Sequence, residues 1–413
     1  MFFRDSDSQI STGEAVKPLA SRTTVLSGEG ALSVFKRARQ LEDAGRNIIH
    51  LELGEPDFHP DATVLDAAKT ALDLGQDRYS PPPGLPLLQE ELVRYLARTR
   101  EVNAAPDNIV IAPGCKMILS LAMMALIEPG DEVLYPEPSF PIYPSQIRML
   151  GGTPVAFTLA ESNAFQPDPD EIRAKVTSRT KAIILNSPNN PTGTVVSDEV
   201  MRAIAEITVH RDLWMVSDEI YARIVYGRCY RSIYNLPGMA ERTLIIDGFS
   251  KTFAMTGWRL GYVVAPPDVV AALHLLVVNT YTCASEFIQR AAVAALRDEH
   301  GVAEKMIAEF ASRRERFVAE VNQIPGFRCA LPDGAFYAWV HVEQTGMAAE
   351  AVADLLLEQA GVAGIPGRAF GLSGANFLRF SFAASQAQLH EAVERMRAAS
   401  EAWAPQGATR TSA

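Results

Sequence analysis

Cysteine is scarce in this sequence, positive charge is outweighed, and no long apolar run occurs. The four cysteines, Cys115, Cys229, Cys283 and Cys329, lie far apart and share no paired spacing. That pattern offers neither a disulfide framework nor a zinc site, and it fits a reducing cytoplasm. Acidic residues outnumber basic ones by 49 to 38, for a formal net charge of -11. Nucleic acid and anionic membrane are therefore disfavoured as partners. No stretch approaches the roughly 20 uninterrupted apolar residues that a spanning helix needs. The start, Met-Phe-Phe-Arg-Asp-Ser-Asp-Ser, has no basic segment followed by an apolar run, so no signal peptide is expected. Internal repeats and low-complexity blocks are absent, and no metal site is expected.

What remains is a chain of 413 residues with 48% hydrophobic and 21% charged content, enough for two globular domains. Apolar runs predict strands over 108–112, 131–135, 153–157, 181–185, 213–217, 243–247 and 260–264. Helical periodicity intervenes, notably over 115–127, 139–150 and 197–211. Strands alternating with helices argue for an α/β fold, a mostly parallel seven-stranded sheet covered by helices on both faces. Earlier in the chain, helices are expected over 30–45, 61–74 and 85–101, with a short strand over 48–53. Arg78-Tyr79-Ser80-Pro81-Pro82-Pro83-Gly84 must be irregular, because three prolines extend neither a helix nor a central strand. A long helical region is expected from Cys283 to Ile324. Beyond it, short strands (327–330, 335–341, 376–382) alternate with helices over 347–360 and 386–402. The expected division is an arm over 1–27, a large domain over 61–299, a smaller α+β domain from 28–60 and 300–402, and a frayed tail over 403–413.

In open α/β sheets ligands bind beyond the carboxyl ends of the strands. Past the first strand stand Pro113-Gly114-Cys115-Lys116, opening an apolar helix. A helix start with a glycine is a ready anion site. Lys116 is unfavourable there for the helix dipole, so it reads as an anion ligand, with a plain exposed lysine as the bland alternative. Past 181–185 stand Asn186-Ser187-Pro188-Asn189-Asn190-Pro191-Thr192-Gly193, which alone would be a turn. Past 213–217 stand Asp218-Glu219-Ile220-Tyr221. A carboxylate at the end of a buried strand needs a partner, although helix capping explains a lone aspartate better. Past 243–247 stand Ser250 and Lys251, with Arg259 eight residues beyond. Dehydration lowers the pKa of such a lysine toward a usable amine that can condense with an aldehyde. Arg379 lies in an otherwise apolar strand and needs a carboxylate, from a structural ion pair or from a ligand.

The run from Leu244 to Tyr262, with Asn190-Pro191-Thr192-Gly193, resembles the pyridoxal-phosphate aminotransferases of class I/II (the aspartate aminotransferase superfamily, fold type I). The likeness covers about residues 28–400. It implies that Lys251 carries pyridoxal 5'-phosphate and that Asp218 holds the ring nitrogen. Asn190 and Tyr221 would hold the 3-oxygen, and Phe140 would stack on the ring. Gly114, Cys115, Lys116, Ser250 and Arg259 would hold the phosphate end. Tyr79 would reach the phosphate of a neighbouring subunit, implying a homodimer with shared sites. Arg379 would take the substrate α-carboxylate, with Gly54 and Asn190 beside it.

The implied reaction is ping-pong transfer of an amino group from an L-amino acid to a 2-oxo acid, with the freed Lys251 as general base. In some aspartate-type members a lysine at the position of Lys116 meets the acidic substrate side chain, and hydroxyl residues stand near Gly30-Ala31. This chain has Glu29-Gly30-Ala31 instead, which argues against strict acidic specificity. Phe35, Phe140, Tyr79 and Phe336 are candidates for an apolar or aromatic pocket. Aspartate-like or aromatic donors are therefore expected. The same scaffold also supports lyases and synthases, and, remotely, cofactor-sensing regulators, which need an attached DNA-binding domain.

Overall fold

The computed structural model describes residues 20–402 apart from Ser27 and Glu29. The arm expected over 1–27 lies largely outside the described residues, and the tail over 403–413 wholly outside them. The seven expected strands form one sheet: β1 (Ile109–Ala112), β2 (Glu132–Glu137), β3 (Thr153–Thr158), β4 (Thr180–Asn186), β5 (Trp214–Asp218), β6 (Thr243–Gly248) and β7 (Gly261–Val264). Their order is β1-β7-β6-β5-β4-β2-β3. Only β7 runs antiparallel to its neighbours, so the carboxyl ends of the other six share one edge.

Alternation along the strands explains why both faces are covered. Val110 and Ala112 join Ile246 and Val263 on one face, against helices Cys115–Leu126 and Pro267–Thr280. Ile109 and Ile111 join Ile245 and Tyr262 on the other, against helices Ala62–Asp73, Pro86–Arg100 and Glu286–Arg297. Leu88 and Leu92 are fully buried in that second layer, each burial contributing about 1.5–3 kcal/mol.

The C-terminal third builds a four-stranded antiparallel sheet in the order Ile365–Pro366, Phe377–Ser381, Tyr337–His341, Arg328–Cys329. The N-terminal segment joins it, because Ile49–His50 pairs in parallel with Val362–Ala363. The strand expected over 48–53 is thus only two residues long. Beyond it, Leu51 still bonds Ala363 and Ser381 through its backbone, while the Glu52 carbonyl accepts from the Arg379 side chain.

The long helix expected from Cys283 to Ile324 is two helices, Glu286–Arg297 and Val302–Val321. Asp298 breaks it in a left-handed conformation (φ 42°), and its carboxylate accepts from the amides of Val302 (2.8 Å) and Ala303 (3.3 Å), capping the second helix. The helix expected over 139–150 starts only at Ile142, with Pro141 as its cap. The helix expected over 347–360 is α-helical over Ala349–Leu355 and closes in a π turn over Leu356–Ala360. Two helices missed in the sequence, Pro169–Lys175 and Pro267–Thr280, both carry proline at their start. Among the described residues no helix is long and apolar enough to cross a membrane.

Candidate active site

A cavity of about 490 Å³ opens at the carboxyl edge of the large sheet. Its walls include Gly54, Cys115, Lys116, Phe140, Asn190, Asp218, Tyr221, Ser250, Lys251, Arg259 and Arg379. Residues from seven separate stretches of sequence therefore meet around one space. Gly114, beside the wall residue Cys115, packs against Arg259: a Cβ added there would stand 2.5 Å from the Arg259 guanidinium. The Gly114 backbone also has φ +85°, which side chains rarely adopt.

Asp218 ends β5 and is 8% exposed. Tyr143 donates its hydroxyl to Asp218 Oδ2 at 2.6 Å, and the Ile220 amide donates to Oδ1 at 3.3 Å. Burial pushes the Asp218 carboxyl up to about 6, against those two hydrogen bonds and with help from the neighbouring Asp247 and Glu219. Lys251, just past β6, donates from Nζ to the Gly54 carbonyl. Burial lowers its pKa to about 8. A substantial fraction of the amine is then neutral in the physiological range, as nucleophilic or basic work requires.

Tyr221 and Tyr337 share a hydrogen bond of 2.6 Å between their hydroxyls. Burial and that neighbour keep Tyr221 protonated, well above the ordinary phenol range. Arg379 is 4% exposed and donates to Asn190 Oδ1 at 3.0 Å and to the Glu52 carbonyl. Its guanidinium also lies 4.4 Å from the centroid of the Tyr337 ring. Lys116 is exposed, with Nζ 5.4 Å from the centroid of Phe140. Cys115 begins its helix with the thiol turned beneath the sheet, since a Cβ on Gly248 would lie 3.0 Å from Sγ. Burial raises that thiol well above its ordinary value, so it stays neutral.

Among the wall residues missed in the sequence are Tyr143, Asn186 and Tyr337. Asn186 donates to the Asp218 carbonyl at 3.1 Å and accepts from the Asn190 amide at 2.9 Å, tying two strand ends together. The position of Tyr337 follows from strand pairing. Trp339 pairs with Arg379, and Tyr337 lies two residues before it, hence on the same face. Two expected pocket residues are elsewhere. Phe336 is fully buried in the core of the C-terminal third, and Phe35 lies against the His50 ring. Their places are taken by Ala31, Leu32, Leu53 and Leu119. Tyr79 is 87% exposed and does not line this cavity.

Fold and cavity together define an α/β enzyme with a part-buried amine and a buried carboxylate on the wall of one cavity. The sequence profile of the family "Aminotransferase class I and II" matches residues 46–396. An aspartate aminotransferase of Pyrococcus horikoshii is 37% identical over 93% of this chain and 97% of its own length. Aromatic-amino-acid aminotransferase 2 of Thermococcus litoralis is 37% identical over 92% and 97%. The structure of Thermus thermophilus aspartate aminotransferase with maleate superposes with a TM-score of 0.89 at 33% identity, covering 93% of this chain and 100% of that one. The chain belongs to the class I and II aminotransferases. It is a transaminase dependent on pyridoxal 5'-phosphate, acting on amino acids and 2-oxo acids.

The cavity fits this cofactor. Asp218 is an acceptor suited to a protonated ring nitrogen, Lys251 is an amine of lowered pKa, and the absence of a Cβ at Gly114 leaves room for the Arg259 guanidinium on the wall.

Two outcomes follow. Gly114→Ala lowers affinity for the cofactor at least about tenfold, because the new Cβ displaces Arg259; fluorescence titration of the apoprotein measures it, and unchanged affinity contradicts the cradle. In the apoprotein, Lys251 binds its proton less tightly folded than unfolded. Unfolding free energy therefore rises with pH between about 8 and the ordinary lysine value of 10.5. Denaturant titrations of Lys251→Met across that window lack this part of the rise.

Proposed function

We propose that the cavity residues divide into three groups by task. Asp218 holds the ring nitrogen, Asn190 and Tyr221 hold the 3-oxygen, and Phe140 covers the ring face. Gly114, Cys115, Lys116, Ser250 and Arg259 take the phosphate end, joined by Tyr79 of a neighbouring subunit in a homodimer. Arg379, with Gly54 and Asn190, binds the substrate α-carboxylate. The observation that carries this reading is the convergence of buried Asp218 and Arg379 with part-buried Lys251 on one cavity.

When bound, the cofactor supplies an electron sink for the pair of electrons left on the substrate Cα. The chain supplies the rest. Lys251, neutral in part near pH 8, takes the Cα proton and returns it at the adjacent cofactor carbon. Asp218, ionised above about pH 6, keeps the ring nitrogen protonated. Arg379 presents a planar fork suited to a carboxylate, and its contact with Asn190 Oδ1 links carboxylate binding to the residue beside the ring.

The donor is aspartate-like or aromatic. Lys116 and Phe140 lie side by side on the wall, one a cation and the other an apolar ring. Ala31 and Leu32 bring no hydroxyl group to it. A pocket of this mixed character suits both donor types that the relatives' names carry, aspartate and aromatic amino acids. The sheet of seven strands forms the cofactor-binding domain over 61–299. Residues 28–60 and 300–402 form the smaller one, and the protein works in the cytoplasm.

Lys251→Ala loses transamination at least about 10⁴-fold. A panel of amino donors with 2-oxoglutarate, read by the change in cofactor absorbance and by the 2-oxo acid formed, gives fastest turnover with aspartate or aromatic donors. Release of ammonia or sulfide in place of amino transfer contradicts the reading.

A further inference from the structure

Beneath the cavity floor lies a cluster of charges that the mechanism above does not use. Arg100, the last residue of helix Pro86–Arg100, is fully enclosed. Its Nη1 meets Glu219 Oε2 at 2.9 Å, and its Nη2 is paired with Asp247. Glu219 has a 0% exposed side chain and accepts from the hydroxyls of Ser217 (3.0 Å) and Ser232 (2.5 Å) on its other oxygen. Asp247 is held by Tyr262, whose hydroxyl donates to Oδ2 at 2.7 Å, and by the Gly248 amide at 2.6 Å.

Position gives this cluster its significance. Glu219 directly follows Asp218, and Asp247 lies four residues before Lys251. One guanidinium therefore ties together the ends of β5 and β6, the strands that deliver both groups. It is also the counter-ion to both carboxylates nearest Asp218 in sequence or across the ladder, where Asp218 pairs with Ile246, beside Asp247. An arrangement needed only for stability would be served as well by apolar side chains, since buried ion pairs often contribute nothing net.

We propose that Arg100 is a positioning residue for the cofactor: it neutralises Glu219 and Asp247 so that Asp218 remains ionised and able to hold the ring nitrogen. This rests on the assignment of Asp218 to that nitrogen. The groups facing Asp218 are Tyr143 from the helix Ile142–Met149, Glu219 and Tyr221 from its own strand end, Asp247 from β6, and Cys115 from the helix after β1. Cys115 and the tyrosines are held protonated by burial. The ionised neighbours of Asp218 named here are thus the two carboxylates, and both act to raise its pKa. Arg100 is the cation paired with both of them.

The test is the pH dependence of pyridoxal phosphate affinity, measured by fluorescence titration of the full-length apoprotein from pH 5 to 9. Ionisation of the cofactor's own phosphate is common to all variants and drops out of differences between them. Wild-type affinity falls at acid pH as Asp218 takes up its proton. Arg100→Met shifts that midpoint upward by about one pH unit, and Glu219→Gln shifts it downward. Arg100→Lys, which keeps the charge, restores a midpoint close to wild type. Opposite shifts support the proposal, because loss of packing alone moves both variants the same way or neither. Unshifted midpoints, or shifts of one sign, overturn it. If Arg100→Met does not fold, Glu219→Gln and Arg100→Lys decide by the same criteria. Asp218→Asn separates the two levels: if it leaves affinity unchanged and independent of the acid limb, the ring-nitrogen assignment itself fails.

Discussion

The site depends on keeping a carboxylate charged where water is excluded. Asp218 ends a strand that is buried on both faces, and burial favours its protonated form. The hydroxyl of Tyr143 and the amide of Ile220 oppose that tendency directly. Arg100 opposes it from below by balancing the next two acids. The same dehydration that endangers Asp218 is useful at Lys251, where it releases the amine from its proton. One low-dielectric floor thus serves both groups, and the fold must hold them at fixed separation for that to work.

The sheet topology supplies this constraint. Six parallel strands bring their carboxyl ends to one edge, so residues far apart in sequence meet without any long loop. Asn186 and Arg100 then fasten adjacent strand ends to each other, one by amide hydrogen bonds and one by ion pairs. The C-terminal third closes the cavity with Arg379 and Tyr337. It reaches the large domain's wall through Arg379 with Asn190 and Tyr337 with Tyr221, and the N-terminal segment adds the Gly54 carbonyl, which accepts from Lys251. Gly54 must be glycine for this closure, since a Cβ there would lie 2.1 Å from the Tyr337 hydroxyl.

Much of this was legible in the sequence because its determinants are local. Asp218, Asn190 and Lys251 each follow an apolar run closely, so a rule about strand ends finds them, and the seven strands fall within a few residues of their expected places. What the sequence hid is non-local. Arg100 looks like an ordinary helix-terminal arginine until residues 119 and 147 positions away fold against it. Tyr337 becomes visible only once its strand is paired with that of Arg379. The break at Asp298 was hidden for a different reason. Apolar periodicity continues on both sides of it, and only the carboxylate's contact with the next helix marks the boundary. Phe336 was misassigned to the pocket because hydrophobicity does not distinguish a cavity wall from the core behind it.

The central claim is that Lys251, among all the lysines of the chain, carries the aldehyde cofactor. Reduction of the holoenzyme with borohydride fixes the cofactor covalently to the amine that holds it, and peptide mapping by mass spectrometry then locates it. The account predicts one pyridoxyl group per chain, on Lys251. A label on Lys116 or any other lysine, with Lys251 unmodified, would contradict it.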